Sequence, residues 1–170
     1  MSRSGYSEDV SDLEAGRWRA AVNRALKGRR GQEFLRALRE ALDAMPDKKL
    51  YPGSFATADG EYCTLGVLGA QRGIRMDDLG DESWCDTELV GDRFGIATSL
   101  AAEVMYLNDE YLADTHKWVE VEICGPMPPY SLVRGHQQHK RFVSVPNPNH
   151  PEERWKKVRE WVEENIMEKA

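Results

Sequence analysis

The chain is poor in features that would place it in a specialised class. It has three cysteines among 170 residues, Cys63, Cys85 and Cys124. An odd number at wide spacing is no disulfide framework and predicts reduced, structural thiols. No apolar run approaches the about 18 residues that span a bilayer, and the polar N-terminus lacks a signal-peptide core. These absences argue against a membrane protein and predict a cytoplasmic one. Positive charge is also in deficit, with 23 Lys and Arg against 29 Asp and Glu and a formal net charge of -6. That balance opposes a general nucleic-acid binder.

What is present suits a folded domain. Hydrophobic residues make up 41% of the chain and include five tryptophans, enough for a core without disulfides or metals. Residues 1–10 are polar and small and read as a flexible leader. Residues 11–170 read as a single, mainly α domain of about five helices, with a β-hairpin and loop inserted at 116–147, near the C-terminus. Asp12 is the expected N-cap of a helix through about Lys27, with Trp18, Ala21, Val22, Ala25 and Leu26 on one face. Leu35, Leu38, Leu42 and Met45 stripe a second helix that Pro46 ends. Asp92 is the expected cap of another, with Phe94, Ala97, Leu100, Ala101 and Val104 in its stripe. The last starts at Pro151 and aligns Trp155, Val158, Trp161, Val162 and Ile166.

The run from Glu61 to Gly73 carries the sharpest chemical question. Cys63 follows an Asp59-Gly60 turn and heads an apolar, small-residue helix. A thiol at a helix N-terminus is where a nucleophile would gain a lowered pKa. At about 100° per residue, however, Cys63 falls in one arc with Gly66, Gly69, Ala70 and Gly73. A face of small residues invites another helix to approach closely, which predicts a buried, structural Cys63. The enzymatic alternative pairs Cys63 with a histidine of the insertion, His116, His136 or His139.

Other candidates weigh similarly. Asn108-Asp109-Glu110 holds acid–base and hard-cation donors, but it is also a natural helix end. Lys27-Gly28-Arg29-Arg30-Gly31 places Arg29 and Arg30 at a helix start, where an anion or partner could sit, but it lacks phosphate-loop spacing. Lys117 to Ile123 alternates with period two and Arg141 to Val145 is a second β-prone run. The long loop between them bears Tyr130, Arg134, His136 and His139, and such loops are sensible partner-contact sites. One His136-x2-His139 pair with Cys124 falls short of a tetrahedral zinc set, so neither metal nor cofactor is expected; a zinc-stabilised binding module stays as an alternative.

Ala25-Leu26-Lys27-Gly28-Arg29-Arg30-Gly31-Gln32, then Cys63-Thr64-Leu65-Gly66, then Phe94-Gly95-Ile96-Ala97 with Asn108-Asp109-Glu110, and finally Pro151-Glu152-Glu153-Arg154-Trp155 form an ordered set. This set resembles a group of small phage and prophage proteins of unknown function. The resemblance covers roughly residues 17–110 and 150–166, and the hairpin region departs from it. It implies a phage-genome setting and no particular reaction. With no complete catalytic constellation in view, the expectation is a phage-encoded accessory protein rather than an enzyme. It would bind a host or phage protein or complex and modulate a host process or defence system, for instance as an anti-CRISPR-like inhibitor.

Overall fold

Ser11 opens the first helix, α1 (Asp12–Lys27), in the computed structural model, which describes residues 11–79, 86–109, 116–122 and 140–168. The leader, Trp84, Cys85, Glu110, Cys124, Tyr130, Arg134, His136 and His139 therefore lie outside the described residues. The cap of α1 is one residue earlier than expected. Ser11 accepts the Glu14 backbone N–H, and the Glu14 carboxylate accepts the Ser11 N–H. This reciprocal pair satisfies two otherwise orphaned donors and outcompetes Asp12 for the role. Val22 and Leu26 form the buried stripe of α1.

A single residue, Gly28, ends α1 and begins α2 (Arg29–Ala44), in extended geometry at φ -69° and ψ 152°. Phe34, Leu35, Leu38, Ala41 and Leu42 are buried on α2. Leu35, Leu38 and Leu42 are 0% exposed, so each contributes about 1.5–3 kcal/mol relative to exposure in water. Met45 leaves the helix at ψ 132°, as the ring of Pro46 demands of the residue before it. The chain then forms a small arch: Tyr51 N–H donates to the Tyr62 carbonyl, Ala56 bridges Tyr62, and Cys63 N–H donates to the Phe55 carbonyl. The Asp59-Gly60 turn lies at the tip of this arch.

From the arch the chain enters α3 (Thr64–Arg72), whose residues from Thr64 to Gly69 are all buried. The helix expected from Asp92 onward is instead two. Asp86 caps α4 (Thr87–Phe94) by accepting the Glu88 and Leu89 N–H groups, and Gly95 ends it in the left-handed region at φ 70°. Only a residue without Cβ takes that conformation at no steric cost, so the apolar stripe is interrupted although its spacing reads as continuous. α5 (Thr98–Asp109) resumes it with Leu100, Ala101, Val104, Met105 and Leu107 buried. α4 packs on α5, α2 on α3, and α1 on both α2 and α5.

The final helix, α6 (His150–Asn165), buries Val158 and Val162. Trp155 Nε1 donates to the Leu42 carbonyl at 3.2 Å, and Arg159 grips Asp43 through bonds of 2.7 and 3.0 Å. That guanidinium holds the Asp43 carboxyl below its usual range. Gln32 fastens the far end of α6: its amide donates to the Asn165 carbonyl at 2.9 Å and accepts the Met167 N–H at 2.7 Å. No helix among the described residues is long and apolar enough to cross a membrane.

The chain divides into two compact units, Met1–Ala113 with Pro151–Ala170, and Asp114–His150. In the second unit β1 (His116–Glu122) and β2 (Lys140–Pro146) form an antiparallel pair, with Trp118 opposite Ser144 and Glu120 opposite Phe142. The mainly α architecture with a late hairpin is therefore the one the sequence leads one to expect.

Candidate functional site

Cys63 is the N-cap of α3, with its Sγ accepting the Gly66 N–H at 3.2 Å, and it is 0% exposed. Its sulfur closes a helix end within the hydrophobic core. The small-residue arc works differently from the helix–helix seam its spacing suggests. A Cβ on Gly66 would collide with the Phe55 carbonyl, and one on Gly69 would meet the Met76 side chain. The intimate neighbours of this face are thus the arch and a side chain after α3, while Ala70 is exposed.

A thiol so placed should be inert in the folded state. An aromatic disulfide reagent at neutral pH is expected to leave Cys63 unmodified on the timescale of minutes and to react on addition of denaturant, as followed by mass spectrometry of the Cys63 peptide. Rapid native-state modification of that peptide would refute the structural reading. Cys63→Ala is expected to destabilise by about 1–3 kcal/mol, through the lost cap and lost packing.

Asn108 lies where the sequence offered a cation site, and it performs a different task. Its Oδ1 accepts both the Thr64 N–H at 3.1 Å and the Thr64 hydroxyl at 2.8 Å. Its Nδ2 donates to the Tyr51 carbonyl at 3.0 Å and to Asp109 Oδ1 at 2.8 Å. Both lone pairs and both N–H donors of the amide are filled. Asp109 Oδ1 also accepts the Gly53 N–H at 3.2 Å. The backbone carbonyl of Asn108 accepts from Arg154 Nε at 2.6 Å, and Arg154 Nη1 donates to the Leu50 carbonyl at 3.1 Å. Thr64, Asn108 and Arg154 are all essentially inaccessible, at 0%, 1% and 1% exposure.

This polar staple joins the start of α3, the end of α5, the 50–53 segment and the second turn of α6. Buried polar groups are costly unless bonded, so a satisfied network fixes one relative arrangement of these elements. Thr64, Asn108 and Arg154 meet in it, while Gln32 anchors the C-terminal end of α6. Sequence reasoning missed Arg154 and Gln32. Arg154 carried a signal, since it stands four and eight residues before the core positions Val158 and Val162.

The remaining candidates are dispersed. Arg29 and Arg30 are exposed in the first turn of α2, beside a hollow of about 500 Å³ that Arg24 also lines. Arg29 Nε stands 3.8 Å from the Glu33 carboxylate, a solvated pair. His116 is the first residue of β1, in the second unit. Among the described residues no group of three His, Cys, Asp or Glu side chains could hold a metal ion.

One surface feature stands out in the second unit. Trp118 is 71% exposed and Phe142 66% exposed. Cross-strand partners share a face of a hairpin, so the Trp118–Ser144 and Glu120–Phe142 pairs put both rings on the same side as diagonal neighbours. No family model, curated protein or solved structure matches the chain.

Proposed function

We propose that the protein is a phage-encoded accessory factor that acts in the host cytoplasm by binding a protein or protein complex, with the Trp118–Phe142 face of the hairpin as its main contact. The observation that carries this reading is the pair of exposed aromatic rings on one hairpin face. Large aromatics exposed together are unfavourable in water and supply the anchors of protein interfaces when covered. The buried state of Cys63 and its use as a helix cap support a binding role over thiol catalysis. Modulation of a host defence complex is the form of this function that the phage resemblance suggests.

The test is photo-crosslinking in host cells from a benzophenone amino acid at position 142, followed by purification of the captured protein and a direct affinity measurement. The Trp118→Ala/Phe142→Ala variant is expected to bind that protein at least about tenfold more weakly, with an unchanged melting temperature because both rings are exposed. Equal binding by the variant would remove the hairpin from the interface.

A further inference from the structure

The first unit contains a cleft of about 510 Å³ that the hairpin reading does not use. It lies between the C-terminal end of α2, the chain from Lys49 to Tyr51, the tip of the arch and the outer face of α3. Ligand pockets range over about 300–1,000 Å³, so the space suits a side chain or small molecule. Ala44, Met45, Val67 and Ala70 supply apolar lining, and Tyr51 and Tyr62 add two aromatic rings. Asp47, Asp59 and Glu61 face the same space against one cation, Lys49, whose ammonium stands 3.7 Å from the Glu152 carboxylate. Nearby Lys48 is spent on the Leu42 and Asp43 carbonyls, at 3.2 and 2.6 Å.

We propose that this cleft receives an arginine side chain presented by a protein partner. An apolar lining suits the three-carbon stem, while tyrosine faces and carboxylates suit a planar, always-charged guanidinium that stacks and forks. A metal ion is the weaker occupant, because these carboxylates do not form a cation-holding group. Burial first, and then the hydrogen-bonding carboxylate of Glu61, raise the Tyr51 pKa. The acidic balance of the whole chain favours a basic partner as well.

The test uses the full chain and two blocked pentapeptides, one with a central arginine and one with citrulline, which keeps the shape and removes the charge. Nuclear magnetic resonance titration is expected to give saturable shifts around Tyr51 and Tyr62 with the arginine peptide, and at least about tenfold weaker binding of the citrulline peptide. Glu61→Gln and Asp59→Asn should each weaken the arginine peptide several-fold. Asp59 is exposed at a turn, so its variant keeps the fold, as an unchanged melting temperature will confirm. Absence of saturable shifts, equal binding of the citrulline peptide, or shifts confined to another surface each overturn the proposal. Tighter binding of free agmatine than of the peptide overturns the protein source of the guanidinium. The Trp118→Ala/Phe142→Ala variant should bind the arginine peptide unchanged, which separates this site from the hairpin.

Discussion

Arg154→Ala is expected to lower the stability of the protein by about 3–5 kcal/mol, read as a fall in the urea midpoint at constant slope. The guanidinium is buried to 1% exposure and supplies donors to the Asn108 and Leu50 carbonyls. Truncation leaves both acceptors dry and unsatisfied, each costing about 1–3 kcal/mol, and opens a cavity beside them. Arg154→Lys should recover little, since a single ammonium cannot reproduce the fork that reaches two carbonyls on different segments. Arg159→Ala is the internal comparison. It breaks a two-bonded ion pair with Asp43 at the surface and should cost no more than about 1 kcal/mol. Asn108→Ala should lose nearly as much as Arg154→Ala, and the double variant less than their sum, because the two share one network. A loss below about 1 kcal/mol for Arg154→Ala would mean that the staple does not hold the helices together.

Gly66→Ala is expected to be as damaging, for a steric reason. The added Cβ would sit within bonding distance of the Phe55 carbonyl oxygen. Both sides of this clash are backbone, and the same carbonyl accepts the Cys63 N–H, so neither the helix nor the arch yields without losing a bond. A loss of at least about 3 kcal/mol follows, at the upper end of overpacking costs. At about 2–4 °C per kcal/mol for a chain of this size, thermal unfolding monitored by circular dichroism should fall by 6 °C or more. Gly16→Ala is the opposite case. No atom stands within 4 Å of its Cβ position in α1, so the change should stabilise by about 0.5–1 kcal/mol. A neutral Gly66→Ala would show that the arch is not seated on α3.

Much of the helical architecture was legible because its signals are local. The stripe Leu35, Leu38, Leu42 and the turn of α6 from Pro151 to Glu153 each announce a helix without reference to anything distant. The alternation from Lys117 to Val121 announced a strand in the same way. The split between α4 and α5 was not legible, since Gly95 can sit inside a helix or end one, and only the packing around it decides which. The role of Cys63 was half legible. Its place among small residues predicted burial, but the neighbour received by Gly66 is a carbonyl of the arch rather than a second helix.

The sequence by itself determined the fold class, the approximate bounds of every expected helix but the one placed from Asp92, and the hairpin, because periodicity, caps and breakers act within a few residues. Only the tertiary structure decided what the polar residues do. Thr64, Asn108 and Arg154 are separated by more than forty residues at each step, and their types fit a cation site, a helix end or a solvated surface equally well. A hydrogen bond is made in three dimensions, at about 3 Å, between groups that no spacing rule connects. The fold brought these side chains together, and Asn108 and Asp109, which the sequence offered as cation or acid–base donors, became part of the staple that holds its elements in place.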